Sequence, residues 1–192
     1  EARVLYVDDG SSDRTWAVLE QIAASDPRVA LLRLSRNFGK ELALTAGLDQ
    51  ADGDAVVVLD ADGQDPPELL PEFVSRWRAG ADVVYGRRKS RRGESWFKRA
   101  TAHAFYRVIN RLSVTDIPAD TGDFRLISRR VLQALRAMRE RQRFMKGLFA
   151  WVGYPQVALD YERAPRLAGH SKFNYWRLWN FALEGITGFS TA

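Results

Sequence analysis

The chain has 192 residues, a formal net charge of +5 at pH 7 and a pI of about 9.7. Its hydrophobic share of 46% and charged share of 28% are ordinary for one globular domain. The lack of cysteine excludes disulfides, thiolate catalysis and a cysteine-ligated zinc site, and two histidines, His103 and His170, argue against a histidine-built metal centre. The basic balance favours an anionic partner, such as a phosphorylated ligand, nucleic acid or an anionic membrane surface.

The first half of the chain alternates strand-like and helix-like segments. Apolar runs predict strands over residues 3–7, 29–34, 55–59 and 82–85. Helical patterns between them predict helices over residues 13–24, 40–50 and 67–79. Ser12 or Asp13 would cap the first helix. This alternation implies βαβ units and an α/β fold with a mostly parallel sheet flanked by helices, in which ligands bind beyond the carboxyl ends of the strands.

The second half is less regular. Its patterns predict helices over residues 94–112, 129–138 and 173–189, strands over 124–127 and 156–161, and a loop over 115–122. No apolar run reaches the ~20 residues that a membrane span needs, and no secretory signal precedes the first strand. Because the chain starts without methionine and stops after an apolar segment, we expect it to be a piece of a longer protein.

Two acidic turns follow predicted strands. Asp8–Ser11 come after the first strand, and Asp60 and Asp62 come after the third. Because alternate residues at a strand end share a face, Asp60 and Asp62 are expected to converge. Mg²⁺ or Mn²⁺ takes oxygen ligands of this kind and typically shares them with phosphate. Either turn alone could be an ordinary polar turn, but two at equivalent strand ends indicate a site.

Basic side chains concentrate after the fourth predicted strand. The cluster consists of Arg87, Arg88, Lys89, Arg91, Arg92, Lys98 and Arg99. Charge runs are usually solvated loop faces, whereas the functional alternative is contact with a phosphate or an anionic membrane surface. Nucleic acid is disfavoured because the run lacks interleaved aromatic residues on which bases stack. The position after a strand favours a role with a ligand or a membrane.

Two polar turns and an aromatic tail complete the set of candidate segments. Asp123 and Arg125 form either a salt-bridged loop or a reaction-centre carboxylate beside an anion-binding guanidinium. Gly169–Lys172 follow Arg166, and glycine next to cations suits a loop that closes over a diphosphate. The aromatic pattern over residues 173–189 suits either a helix that covers the core or an amphipathic helix lying on a bilayer.

These segments, in this order, resemble family 2 glycosyltransferases of the GT-A (Rossmann-like) fold. The matching segments are residues 7–13, 35–41, 60–65, 120–126 and 169–172. The Arg-Asn-Phe-Gly-Lys and Gly-His-Ser-Lys sequences among them are similar to the polyprenyl-phosphate branch, which includes dolichyl-phosphate mannose synthases and bactoprenol glucosyltransferases. The resemblance implies inverting, metal-dependent transfer of a sugar from a nucleotide-diphosphate sugar, with UDP-glucose favoured, to a polyprenyl phosphate.

The resemblance also implies roles for individual residues. The catalytic residues would be Asp62 and Asp123, and Arg111 and Arg125 would bind the acceptor phosphate. Mg²⁺ or Mn²⁺ would be held by Asp60, Asp62 and Gln64. Asp9 would contact the nucleoside, and Lys172 would close over the diphosphate. The whole donor site would comprise Asp8, Asp9, Gly10, Ser11, Lys40, Asp60, Arg166, Ser171 and Lys172.

The resemblance further implies a membrane-associated enzyme with its catalytic domain on the cytoplasmic face. Residues 1–172 would form that domain, and residues 173–192 an interface helix leading to a transmembrane segment outside the chain. Family members begin with a strand that carries a Pro-x-Tyr-Asn-Glu-like element, so we expect part of the nucleotide pocket to precede Glu1. Partners would be the nucleotide sugar, the lipid phosphate and the membrane surface, without nucleic acid, and a homo-oligomer stays open.

Three other functions compete with this one. A haloacid-dehalogenase-type phosphatase would use Asp60 as its nucleophile, but it requires Thr or Val where Gln64 stands and leaves Asp8–Ser11 unexplained. A GT-A-like nucleotidyltransferase shares the fold and the use of a metal. A basic nucleic-acid-binding module predicts salt-sensitive binding to any polyanion without metal dependence.

Overall fold

The computed structural model describes residues 2–88, 121–138 and 145–162. The chain divides into two compact units, residues 1–53 and residues 54–192. Several predictions fall outside the described residues. These are the helices over 94–112 and 173–189, the basic cluster beyond residue 88, the site residues Arg111, Arg166, Ser171 and Lys172, and the boundary at residue 172.

The first unit is a parallel strand pair with two helices. Strands β1 (Val4–Asp8) and β2 (Val29–Arg33) pair in parallel, so that Asp8 lies beside Arg33. Helix α1 (Thr15–Ser25) connects them, which completes a βαβ unit as predicted. Helix α2 (Lys40–Gln50) follows β2 with the predicted bounds. Arg14 is the N-cap of α1, not Ser12 or Asp13 as predicted, and its side chain makes no capping hydrogen bond; the Asp13 carboxylate, one residue earlier, accepts the backbone N–H of Thr15 at 2.9 Å.

A mixed four-stranded sheet forms the framework of the second unit. The strands are β3 (Ala55–Val58), β4 (Val83–Arg88), β5 (Thr121–Ser128) and β6 (Gln156–Tyr161). Their order is β3-β5-β4-β6, with β5 antiparallel to both neighbours and β4 parallel to β6. The bounds of β6 match the prediction. By contrast, β4 runs three residues further than predicted, and β5 takes in the end of the loop predicted over residues 115–122.

Helices cover this sheet. A 3₁₀ turn (Pro67–Leu69) leads into α3 (Leu70–Arg78), and α4 (Arg129–Ala137) follows β5 directly. Helix α5 (Met145–Trp151) was not predicted, because its short, almost wholly apolar sequence has no polar face to reveal a helical period. Within the three described ranges, none of the helices has both the length and the apolar character that crossing a bilayer would require.

Apolar side chains pack on both faces of the sheet. On one face Phe73 of α3 stacks on Phe124 of β5 with 4.6 Å between ring centroids, and the Tyr161 ring meets Phe124 edge-on at 5.8 Å. Since successive residues of a strand point to opposite faces, Arg125 lies on the other face. There its guanidinium carbon lies 3.9 Å from the ring centroid of Phe149 in α5. Phe124 and Arg125 are therefore both buried, in different layers.

Candidate functional site

In the first acidic turn, Asp8 connects the end of β1 to the following turn and to strand β2. Its side chain is almost completely buried, and the backbone N–H of Ser11 donates to its two carboxylate oxygens at 3.2 and 3.3 Å. The Nε of Arg33 on β2 lies 3.4 Å from Asp8 Oδ2. A buried carboxylate needs partners of this kind, because an unpaired one is costly to remove from water. Asp8 therefore stabilises the turn and the strand pair.

Asp9 holds a second predicted segment, the Ser35–Lys40 sequence. Its two carboxylate oxygens accept the backbone N–H groups of Phe38 at 2.7 Å and Gly39 at 2.9 Å, 29 and 30 residues away. Lys40 is the first residue of α2, so this clamp sets the start of that helix. The two motifs that the resemblance placed in the donor site thus form one hydrogen-bonded structure within the first unit.

Gly10 allows that close approach. It has φ of +65°, and a Cβ atom at this position would lie 2.4 Å from the carbonyl carbon of Arg36. Real side chains do not tolerate such a distance to backbone, and the positive φ itself favours glycine. The guanidinium of Arg36 lies 4.0 Å from the ring centroid of Phe38, on the exposed side of the same segment. Only glycine therefore fits between the two motifs.

The second acidic turn lies beyond a strand rather than on it. Strand β3 ends at Val58, and residues 61 and 62 form a turn. Strand alternation therefore does not orient Asp60 and Asp62, and the expectation that it makes them converge is wrong. Asp62 Oδ1 instead accepts the backbone N–H of Gln64 at 3.1 Å, around Gly63 at φ +71°. Asp60, Asp62 and Gln64 are all partly buried.

A third carboxylate in this turn, Asp65, was not predicted. It is 4% exposed, and the hydroxyl of Tyr161 at the end of β6 donates to its Oδ1 at 2.8 Å. The two residues are 96 positions apart, so no local pattern could have paired them. The only signal in the sequence is the third acid of Asp60-x-Asp62-x-x-Asp65, directly before a Pro-Pro pair.

Asp123 and Arg125 lie next to this turn in the sheet. Val58, the last residue of β3, is paired with Arg125 of β5. Because the strands are antiparallel, Asp60, two residues beyond Val58, and Asp123, two residues before Arg125, lie at the same end of the pair. Both β5 side chains are buried, with Asp123 6% exposed and Arg125 3% exposed. The second unit thus brings Asp60, Asp123 and Arg125 to one end of the β3–β5 pair.

Arg125 is firmly oriented there. Its Nη2 donates to the carbonyl of Gly122 at 2.9 Å, and its planar group lies on the Phe149 ring. A guanidinium carries its N–H donors in a rigid planar fork, so these two contacts set its direction. Arg125 therefore supplies a preorganised positive charge beside Asp123.

The residues around Asp60 and Asp62 suit a hard divalent cation that is bound by the protein and by the phosphate oxygens of a ligand. Among the residues that the structure describes, no three His, Cys, Asp or Glu side chains group into a metal cage. Mg²⁺ in particular is commonly held by one or two carboxylates, with water and substrate phosphate as its other ligands. Two carboxylates and the amide oxygen of Gln64 match that donor set, and they do not match a closed structural zinc or calcium site.

One member of the predicted basic cluster has a defined partner. Arg87 pairs with Asp160 of β6, with Nε 2.6 Å from Oδ1 and Nη2 3.2 Å from Oδ2. The pair bridges the neighbouring parallel strands β4 and β6, whose register places the two residues side by side. Arg87 therefore contributes to the sheet, whereas the cluster from Lys89 onward lies outside the described residues.

Comparisons with known proteins identify the class to which this fold belongs. The structure resembles that of a mannosyltransferase from Pyrobaculum calidifontis in complex with GDP-Man and Mn²⁺, with a TM-score of 0.59 and 20% identity, over 93% of this chain and 51% of the other. At that identity the likeness shows the fold alone, which is the GT-A glycosyltransferase fold. The predicted fold class is therefore confirmed.

Sequence similarity identifies the family. The pattern of glycosyl transferase family 2 matches residues 1–136, and the chain belongs to this family. It is 54% identical over 97% of its length to an uncharacterized glycosyltransferase of Synechocystis, and 49% identical over 100% of its length to a bactoprenol glucosyl transferase of Shigella phage SfV. The chain spans 59% and 62% of the length of these two relatives. The family favours a transferase over the phosphatase and the nucleic-acid-binding module.

Proposed function

We propose that this protein transfers a sugar from a nucleotide-diphosphate sugar to a polyprenyl phosphate, with UDP-glucose as the favoured donor. The observation that carries the proposal is the grouping of Asp60, Asp62, Asp123 and Arg125 at one end of the β3–β5 pair. It joins oxygen donors for a cation to a buried arginine suited to a phosphate. The name of the phage relative supports bactoprenol, a polyprenyl lipid, as the acceptor class and glucose as the sugar.

On the donor side, Asp60, Asp62 and Gln64 would hold Mg²⁺ or Mn²⁺. When bound, such an ion neutralises negative charge that develops on the leaving nucleoside diphosphate. Asp8–Ser11 and Lys40 would line the nucleotide pocket, and Asp9, which already fixes the Phe38–Gly39 backbone, would keep that wall in place. Arg166, Ser171 and Lys172 would add cations and a hydroxyl around the diphosphate.

On the acceptor side, a phosphate oxygen of the lipid would attack the anomeric carbon as the bond from that carbon to the diphosphate oxygen breaks. Attack from the opposite face inverts the anomeric configuration. The lipid phosphate is already ionised near neutral pH, so it needs positioning more than deprotonation. Arg125, together with Arg111, would orient this phosphate, and Asp123 would lie at the reaction centre beside Arg125.

The acceptor also implies a place at the membrane. Residues 1–172 would form the catalytic domain on the cytoplasmic face, and residues 173–192 would form an amphipathic helix at the bilayer surface. Of the predicted basic cluster of residues 87–99, the residues beyond Arg87, which pairs with Asp160, would approach the anionic headgroups near the lipid phosphate. A homo-oligomer would be compatible with interface helices that pack against a second copy.

Calorimetric titration of UDP and, in parallel, GDP into the full-length protein tests the proposal. We expect one of the two to bind only when Mn²⁺ is present, and Asp62→Ala to abolish that binding. Glu72→Ala is the matched control, because it removes an exposed carboxylate on α3 whose partner is Arg76. Equal binding with and without Mn²⁺, or no binding of either nucleotide, would contradict the proposal.

A further inference from the structure

The acidic turn after β3 is attached to the protein at both of its ends. At one end Val58 is paired with Arg125 in the sheet, and at the other the Asp65 carboxylate accepts the Tyr161 hydroxyl at 2.8 Å. Asp60 and Asp62 lie between these two attachments. Asp62 Oδ1 accepts the backbone N–H of Gln64 within the turn itself.

The direction of the Tyr161 hydroxyl is set by the core. Its side chain belongs to the apolar cluster around Phe73 and Phe124, and Tyr161 is 5% exposed. Gly86 on the adjacent strand β4 leaves room for the ring, since a Cβ atom there would lie 2.7 Å from Tyr161 Cε1 and 3.0 Å from Phe124 Cδ1. A ring held this closely delivers its hydroxyl to one place.

The burial of Asp65 gives this hydrogen bond its importance. A carboxylate that is 4% exposed is costly to keep in the interior unless donors reach it, and Tyr161 provides one from a strand 96 residues away. Removing the hydroxyl would let the Asp65 end of the turn move toward water. The movement would be transmitted along the turn, where Gly63 at φ +71° is the most adaptable residue.

We propose that Tyr161 is a positioning residue for the cation-and-diphosphate site, acting through Asp65 on the placement of Asp60 and Asp62. The inference rests on the proposed function, because it assigns a task in that same site. Tyr161 touches neither the substrate nor the cation in this role. Small displacements of groups that hold a reacting complex reduce rates and affinities strongly, which is why such supporting contacts matter.

The alternative role for Asp65 is that of a third ligand of the cation, which requires its negative charge. The two roles predict opposite results for Asp65→Asn. The asparagine keeps an oxygen that can accept the Tyr161 hydroxyl, but it loses the charge. Asp65→Ala removes both. A positioning role therefore predicts that Asp65→Asn resembles the wild type and that Asp65→Ala does not.

The test is calorimetric titration of MnCl₂ into the full-length protein at a fixed concentration of UDP and, in parallel, GDP. We expect Tyr161→Phe to raise the Mn²⁺ concentration for half-maximal nucleotide binding about 10-fold, in line with losses seen on removing outer contacts of metal ligands. Asp65→Ala should do the same, and Asp65→Asn should stay within about twofold of the wild type. Tyr154→Phe is the matched control, since that tyrosine lies beside Arg130, away from the turn.

Each result decides between the proposals. If the wild type shows no Mn²⁺-dependent nucleotide binding, the proposed function is wrong and this inference falls with it. If the wild type binds normally and Tyr161→Phe matches it, the positioning role is wrong while the proposed function stands. An Asp65→Asn variant as weak as Asp65→Ala would make Asp65 a ligand instead. Should Tyr161→Phe fail to fold, the two Asp65 variants still decide the matter.

Discussion

The two acidic turns have similar sequences but use their carboxylates differently. In the first, Asp8 binds the backbone of Ser11 and pairs with Arg33, while Asp9 binds two backbone N–H groups some 30 residues away. In the second turn, Asp65 accepts a hydrogen bond from the distant Tyr161 hydroxyl. Asp62 accepts a hydrogen bond from within its own turn.

This difference shows that one sequence pattern, a strand followed by acids and glycine, serves two physical tasks. A carboxylate that accepts two backbone N–H groups fixes the chain, because charged hydrogen bonds are among the stronger ones in a protein. Asp60 and Asp62, by contrast, lie beyond the end of β3 and are the carboxylates that we propose to meet a cation. We therefore expect substitutions in the first turn to act mainly on stability, and substitutions of Asp60 and Asp62 mainly on activity.

The largest effect that tests this comparison is expected from Asp62→Asn. If Asp62 binds the cation, the variant should lower kcat/KM for sugar transfer about 10³-fold, as for the loss of one preorganised group that stabilises developing charge. Its free energy of unfolding should change by no more than about 0.5 kcal/mol, because the local acceptor oxygen is retained. The measurements are transfer of labelled glucose from UDP-glucose to a polyprenyl phosphate, and urea unfolding followed by circular dichroism.

Glu72→Gln serves as the control for loss of a carboxylate from the same unit. The expected division of roles between the turns would be wrong if Asp62→Asn mainly lowered the free energy of unfolding and left sugar transfer unchanged. That division would also be wrong if Asp9→Asn reduced sugar transfer as strongly as Asp62→Asn without changing the free energy of unfolding.

The sequence predicted the alternating half of the fold well, because hydrophobic periodicity is a local property. In that half Lys40–Gln50 has its predicted bounds, and in the less regular second half Gln156–Tyr161 has them too. Strand β5 is the instructive exception. Its first residues, Thr121–Asp123, lack an apolar pattern, so the strand was predicted too short, and its antiparallel insertion between β3 and β4 was not predicted. Charged residues inside a strand are stabilised by tertiary contacts that periodicity does not contain.

The residues of the candidate site likewise divide into those that the sequence could predict and those that it could not. The acids Asp60 and Asp62 could be picked from the sequence because they directly follow an apolar run. The clamp from Asp9 to Phe38 and Gly39 and the bond from Tyr161 to Asp65 could not, since they join residues 29 to 96 positions apart. Motifs thus identified the groups that could meet a ligand, and the structure was needed for the groups that hold them.

Gly10→Ala tests the first turn as a structural lock. The added methyl group would lie 2.4 Å from the Arg36 carbonyl carbon, at a residue whose φ is +65°. Steric overlap with backbone and left-handed strain add, so we expect a loss of about 3 kcal/mol in the free energy of unfolding. Urea unfolding gives this value, with Gly80→Ala as the comparison. Gly80 also has a positive φ, but nothing lies within 4 Å of its Cβ position, so it should lose clearly less.

Hydrogen exchange of the Phe38 and Gly39 amides locates the effect. In the wild type both amides donate to Asp9 and should be protected. In Gly10→Ala their exchange should accelerate together, because the turn can no longer approach Arg36. Unchanged protection combined with normal stability would mean that the Asp8–Ser11 turn does not hold the Ser35–Lys40 segment in place. The first turn would then have no demonstrated structural role.

Asp82 is a buried carboxylate with a structural role. Its substitution is expected to have the smallest of these effects. It lies just before β4, is 3% exposed, and accepts hydrogen bonds from the Arg130 guanidinium and from Ser128 Oγ at 2.8 Å. Hydrogen bonding to Arg130, with a smaller contribution from Ser128, lowers the pKa of Asp82 below its usual 3.8 against the opposing effect of burial. Asp82→Asn should destabilise the fold by about 2 kcal/mol, with the exposure of Arg130 limiting the loss.

The pH dependence separates this charge effect from a packing defect. Because the pKa of folded Asp82 lies below that of the unfolded chain, its contribution is complete above about pH 4 and is lost as the pH falls through the lowered value. The urea midpoints of wild type and Asp82→Asn should therefore differ by a constant amount from pH 7 to about pH 5 and converge below about pH 4. Asp26→Asn is the matched control. The pKa of Asp26 is also lowered, to about 2, chiefly by hydrogen bonding to Arg28, but both side chains of this pair meet solvent, so its loss should change the midpoint clearly less than the loss of Asp82 from pH 7 to about pH 5. A gap for Asp82→Asn that stayed constant from pH 5 down to pH 3 would mean that shape, not charge, holds Arg130 and Ser128 to the start of β4.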